Sequence, residues 1–258
     1  MLFLLSPAKS LDYDTPAVTA LHTQPRFKKE AAELIGIMRE KTPAQVASLM
    51  GISDKLAALN VARYQAWSSQ FTAKNSKQAA LAFNGDVYDG LNAAGLSEDQ
   101  LQWAQEHLLI LSGLYGVLRP LDWMQPYRLE MGVKLVNPRG KDLYAYWQDK
   151  VTSALNERLV QEKTPVVINL ASEEYFKAVD TQALKARVVQ CVFEEFKNGT
   201  YKIVSFYAKR ARGLMMRYAI EKRAKTPQAL QKFDLDGYAY DSAVSDSGRM
   251  VFRRRQAA

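Results

Sequence analysis

A chain of 258 residues, 48% hydrophobic and 24% charged, has the composition of a globular protein with enough length for a full core, which excludes the disordered and fibrous classes. Its one cysteine, Cys191, rules out an internal disulfide and a thiolate cluster, and its two histidines, His22 and His107, stand far apart, so no metal-ligand spacing is present and neither metal nor cofactor is expected. The net charge of +8 is concentrated: residues 201–223 hold Lys202, Lys209, Arg210, Arg212, Arg217, Lys222 and Arg223 against Glu221 alone, and Arg249, Arg253, Arg254 and Arg255 follow at the end, a distribution suited to a polyanionic partner or to a solvated basic face and tail.

The chain opens on an apolar run, residues 2–5, that reads as a buried strand and is too short for a signal peptide or a membrane span, so a cytosolic protein without membrane contact is expected. Residues 27–40 carry a helical stripe of Ala31, Leu34, Ile35 and Met38. Residues 81–90, LAFNGDVYDG, read as a strand turning at Asn84 and Gly85. A helix over 98–106 leads into a strand at 108–112, and a loop with two glycines and two prolines spans 114–132. No Lys-Ser/Thr ending accompanies those glycines, so a P-loop is excluded.

An amphipathic helix is expected over 143–159, an apolar strand over 166–170, and a short helix after Ser172. Asn198-Gly199 predicts a hairpin between 187–196 and 201–206, the second strand running into a basic helix over 207–223. Segments around 237–241 and 249–255 predict a terminal hairpin. About nine strands mixed with helices predict one α+β domain over 1–258, built on a mixed β-sheet core with surrounding helices. A helical subdomain over 26–80 would contain a helix-hairpin-helix at about 43–67.

That hairpin is the segment whose spacing proposes an interaction. Pro43 suits a first helical turn, Gly51 a left-handed stop, and Ser53 a cap for a second helix with core face Leu56, Leu59, Val61 and Tyr64. Unpaired amides around Gly51, Ser53, Asp54 and Lys55 would then point outward at the positive end of that helix, where a phosphate oxygen fits. An antiparallel helix pair with an ordinary glycine turn accounts for the same residues. Tyr64, Trp67, Tyr207 and Tyr218 could stack on bases or fill the core.

A second set of polar residues falls just past the strand ends: Ser6, Lys9, Tyr88 and Ser172, with Arg119, Arg128 and Glu130 in the long loop. Outside the carboxyl ends of strands is where such sheets bind ligands. The set suits a small anionic or nucleotide-like substrate in a strand-end pocket lined by Lys9, Arg128 and Lys209, with Glu130 or Tyr88 for proton transfer; it also suits a structural ion pair pinning the loop. No spacing defines a reaction, so the sequence leaves open whether the chain is an enzyme.

Taken together, SPAKSLDY (6–13), ISDKLAALNVARYQ (52–65), FNGDVYDGL (83–91), LSGLYGVLRPLDWMQPYRLEMG (111–132), INLASEEYF (168–176) and IVSFYAKRARGLMMRY (203–218) resemble the YaaA peroxide-stress proteins over nearly the whole chain. The resemblance implies a bacterial cytosolic protein, induced by hydrogen peroxide, that limits unincorporated iron and protects DNA. It also implies DNA binding through a helix-hairpin-helix beside a positively charged cleft, in a fold of the family's own. Carried onto this chain, the hairpin falls on 50–55, with Ser53 where such hairpins usually carry glycine, and the cleft draws on Lys209, Arg210 and Arg212. A monomer binding duplex or branched DNA is the expectation.

Overall fold

The computed structural model describes residues 1–160 and 162–255. In chain order the elements are β1 (Leu2–Leu5), β2 (Ser10–Leu11), α1 (Lys28–Arg39), α2 (Pro43–Met50), α3 (Asp54–Ala66), β3 (Lys77–Gln78), α4 (Ala79–Ala82), β4 (Phe83–Asn84), α5 (Asp86–Leu91), α6 (Glu98–His107), β5 (Leu108–Ser112), β6 (Gly116–Leu118) and β7 (Trp123–Met124). There follow α7 (Leu143–Leu159), β8 (Val166–Asn169), α8 (Glu173–Phe176), β9 (Arg187–Lys197), β10 (Thr200–Lys202), α9 (Ser205–Glu221), α10 (Pro227–Leu230), β11 (Ala239–Tyr240) and β12 (Arg249–Arg254).

The apolar runs at β1, β5 and β8 are buried on both faces, and such strands pair in parallel beneath helices. Strands β12, β9, β8, β1 and β5 lie side by side in parallel, with β11 antiparallel on one edge, β6 antiparallel on the other, and β10 folded back on β9. The mixed sheet is therefore parallel in its middle and antiparallel at its margins. Phe3 sits opposite Leu108 and Ile168, placing the start of β1 at the centre of the core. On one face Phe3 meets Trp103 of α6. Leu109, the next residue along β5 from Phe3's partner, turns by the pleat to the other face, beside Ala154 of α7.

Two expectations need correction. Residues 81–90 form no strand beyond the two-residue β4: α4 and α5 occupy the segment, because Val87, Tyr88 and Leu91 make a helical stripe buried beneath α9. On α3 the buried face is Ala57, Asn60 and Tyr64, whereas Leu56 and Leu59 face solvent. Small residues let α2 and α3 approach, and Asn60 satisfies its own amide on the Leu56 carbonyl at 2.8 Å. The loop over 114–132 carries two short strands, β6 and β7, and packs into the core, burying Leu114, Tyr115, Leu121, Tyr127 and Leu129. Helices α6 and α7 and the hairpin of β11 with β12 fall where the sequence places them.

Candidate nucleic-acid interface

Thr42 starts α2 with a reciprocal cap, its Oγ1 accepting from the Gln45 amide at 3.3 Å while the Gln45 side chain accepts from the Thr42 amide at 2.9 Å. Gly51 ends α2 in the left-handed region (φ 60, ψ 45), and the Ile52 amide returns to the Ala47 carbonyl at 3.1 Å. Ser53 then holds the extended backbone of a helix cap, but its hydroxyl makes no bond to the first turn of α3, contrary to the expected cap. The Ser53 side chain is exposed at the bend, as are Gly51, Asp54 and Lys55. The leading amides of α3 are thus free of any side-chain cap.

The rest of α3 is pinned. Arg39, at the end of α1, donates to the carbonyls of Tyr64, Gln65 and Trp67, closing the carboxyl end of α3 with a guanidinium where the helix dipole is negative. The Tyr64 hydroxyl donates to the Arg128 carbonyl. A short chain of contacts leads on from there. Arg128 donates to Glu130 Oε1 through Nε at 3.1 Å and Nη2 at 2.9 Å, and Lys9 Nζ lies 3.6 Å from the same oxygen. Lys9 is largely exposed, while Arg128 and Glu130 are mostly buried, and Glu130 Oε2 is buried without a partner.

Beside this cluster, Ser6 Oγ donates to Ser172 Oγ at 3.2 Å and accepts from the Ser172 amide at 2.8 Å, locking the end of β1 to the start of α8. Tyr88 of α5 donates to the Ser6 carbonyl at 3.1 Å, and burial pushes its phenol well above the ordinary value. Ser6, Lys9, Tyr88, Arg128, Glu130 and Ser172 therefore gather at the carboxyl end of β1. Arg119 does not join them. It is held by Asp122 at 3.1 Å and lines a separate cavity with Arg26 and Arg158, because β6 carries it past the edge of the sheet.

Helix α9 packs against α5 and reaches β9 and β1. Lys209 and Arg210 are exposed on it, Arg210 at 3.9 Å from Asp236. Arg212 is half buried beside Cys191, and burial draws its pKa below the usual arginine value, so it lies deeper than its two neighbours. The terminal arginines are not a free basic tail: Arg253 pairs with Glu194 and Asp241 at 2.9 Å each, and Arg254 pairs with Glu195 and Asp236 at 2.9 and 2.7 Å. Parallel pairing of β12 with β9 sets Glu194 opposite Arg253 and Glu195 opposite Arg254, a relation across the sheet that no local window contains. Tyr64, Trp67 and Tyr218 are core residues. Arg39 and Arg63 were not singled out by the sequence, where nothing beyond a basic residue in the last turn of a helix marks them. Among the described residues no three His, Cys, Asp or Glu side chains form a group that could hold a metal, and no helix is long and apolar enough to cross a membrane.

Residues 1–244 match the family model described as Peroxide stress protein YaaA. The chain belongs to this family. It is 65% identical over 258 residues to a UPF0246 protein of Polaromonas sp., with both chains fully covered. It is 64% identical over 256 residues to one of Albidiferax ferrireducens and 66% identical over 255 residues to one of Ralstonia pickettii, covering 99% of each chain. Within the YaaA assignment, the hairpin bend, the cluster at the end of β1 and the exposed start of α9 are the surfaces from which a function has to be built.

Proposed function

We propose that this protein is a cytoplasmic DNA-binding member of the peroxide stress response, which grips the sugar-phosphate backbone with little sequence preference, shielding DNA and limiting free intracellular iron. Residues 43–67 act as a helix-hairpin-helix within a helical subdomain over 26–80. Gly51, Ser53, Asp54 and Lys55 present amides and one ammonium to a phosphate, and Lys209, Arg210 and Arg212 line the neighbouring cleft. The observation that carries this reading is the exposed, uncapped start of α3: a helix terminus whose donors lack a side-chain partner favours an anion. Placement supports it too. Tyr64 ties α3 to Arg128, Arg128 and Lys9 share Glu130, Tyr88 ties α5 to Ser6, and α5 packs on α9, so hairpin and basic helix are both anchored within a few residues of the end of β1.

The test is a salt titration of duplex binding. If about five phosphates are neutralised, log K falls against log salt with a slope near −4.5. Lys55→Glu, or Lys209→Glu with Arg210→Glu, weakens binding to all duplexes alike without lowering the melting temperature. A flat salt response, or a loss confined to one sequence, overturns the reading.

A second reading, an enzyme acting on a small anionic or nucleotide-like substrate at the end of β1, is favoured by Glu130 Oε2, a buried carboxylate oxygen with no partner, placed to take a proton or accept a donor group from a substrate whose anionic end rests on the cations. It predicts that Glu130→Gln removes a turnover while leaving duplex affinity unchanged. Among the described residues Lys209 makes no bond to that cluster, so the ligand would rest on Lys9 and Arg128.

A further inference from the structure

A cavity of about 240 Å³ opens beside α3, lined chiefly by Tyr13, Arg63, Trp67, Lys74, Gln125 and Pro126, with no carboxylate among its lining residues. Most of its polar groups are already committed. The Tyr13 hydroxyl donates to the Met124 carbonyl at 2.6 Å, the Trp67 indole donates to Tyr115 at 3.0 Å, and the Gln125 side chain is bonded at both ends to the main chain of Ser68. The rings are thereby fixed in place, and what they leave for a ligand is apolar surface. The two cations are in the opposite state. Arg63 makes one hydrogen bond, to the neutral Asn60 side chain at 3.3 Å, and among the described residues neither it nor Lys74 forms an ion pair. Burial pulls the Arg63 pKa below its usual value, Tyr13 and Tyr64 oppose that pull, and Arg128 adds to it by a smaller amount, so the guanidinium stands partly desolvated. The arginines around the cavity at Arg119 differ, each being bonded to a carboxylate or to main-chain carbonyls.

Fixed aromatic walls with two uncompensated cations and no acid call for a ligand that is flat at one end and anionic at the other. We propose that this cavity is a binding site for a single nucleotide unit, its base between the half-buried Tyr13 and Pro126 over the edge of the buried Trp67 ring, and its phosphate on Arg63 and Lys74. The volume suits one ring system rather than a polymer, so the nucleotide is either free or the terminal or extrahelical unit of a strand. The site goes beyond the backbone grip at the hairpin and stands without it.

The experiment is calorimetric titration of the full chain with a nucleoside 5′-monophosphate, the parent nucleoside, inorganic phosphate and benzoate. The monophosphate binds saturably, and Arg63→Gln weakens it about tenfold or more, as does loss of the phosphate or of the base. The exposed Lys74→Gln variant, whose folding is not at risk, weakens it as well. A 5′-phosphorylated single strand that competes identifies a strand end as the source; a single strand that fails to compete identifies the free nucleotide. No saturation at millimolar monophosphate, unchanged affinity in Arg63→Gln, or phosphate or benzoate binding as tightly as the nucleotide overturns the proposal. Lys55→Glu is expected to lose duplex affinity and keep nucleotide affinity, which separates failure of this site from failure of the hairpin.

Discussion

Gly213 of α9 lies so close to Val87 of α5 that a Cβ placed on it would stand 1.8 Å from the Val87 carbonyl oxygen and 2.7 Å from the Leu91 amide nitrogen. Gly90 returns the contact, a Cβ there falling 2.2 Å from the Arg210 carbonyl oxygen. Two main chains in contact leave no room for a methyl group, so α5 and the basic helix are set against one another by the absence of side chains. Gly213→Ala is expected to destabilise by about 3 kcal/mol or to displace α5 altogether, since backbone rather than a flexible side chain has to move. Gly36→Ala on α1, where the new methyl meets nothing within 4 Å, is expected to stabilise by about 0.5–1 kcal/mol. Urea midpoints of the two variants, moving in opposite directions, check both.

Strand β12 is held by charge. Arg254 and Glu195 are almost wholly buried and joined at 2.9 Å, the Tyr238 hydroxyl donates to Glu195, and the Arg254 guanidinium lies over the Tyr207 and Tyr238 rings. Glu195→Ala would leave a buried guanidinium with Asp236 alone, and a loss of about 3–5 kcal/mol is expected. Glu195→Gln, whose one carbonyl oxygen can still accept from Arg254 while its amide donates to the Tyr238 oxygen, is expected to lose less. Thermal melts at neutral pH order the two.

What the sequence reveals depends on where each element's partner lies. Helix α7 and strand β8 carry their periodicity and stops within their own residues, and both occur where that pattern sets them. At Leu81–Leu91 the pattern misleads, because an apolar run with Gly85 reads as a turning strand until α9, over a hundred residues later, supplies the surface that α5 packs on. On α3 the reading chose the large residues Leu56 and Leu59 for the core, but close approach to α2 selected Ala57 and Asn60. In the polar set at the end of β1, Ser6, Lys9 and Ser172 follow from strand ends and Arg128 and Glu130 from the long loop, whereas Tyr88 arrives on helix α5 and Arg119 lies elsewhere. The terminal arginines were not, since their neutralising partners sit on β9.

The two helix starts in the hairpin should respond differently to loss of a hydroxyl. Thr42 closes a reciprocal cap, so Thr42→Ala is expected to cost about 1 kcal/mol. Ser53 occupies the equivalent place on α3 and caps nothing, so Ser53→Ala is expected to fall within about 0.5 kcal/mol of the parent. Equal losses in denaturant titrations would mean that Ser53 caps α3 in solution, and the donors proposed for phosphate would then be occupied.

Cys191, the one cysteine, lies buried on β9, and burial pushes its thiol up to about 12, against the opposing pull of Arg212. The thiolate is the species that reacts with peroxide, and at neutral pH a thiol at about 12 is ionised to only about one part in 10⁵. Native protein is therefore expected to resist both hydrogen peroxide and thiol reagents at Cys191, and to react after unfolding; rapid labelling of the native chain would contradict this. The same shift has a signed effect on stability. Between the unfolded thiol's ordinary value of 9.0 and the folded value the unfolded chain loses its proton first, so this contribution is intact below pH 9 and declines above it, by on the order of 1 kcal/mol per pH unit. Cys191→Ala removes that slope and leaves the tyrosines in place, so the difference between the two chains in unfolding free energy from pH 8 to 11 isolates the thiol. Parallel curves for parent and variant would show that the thiol ionises alike in both states.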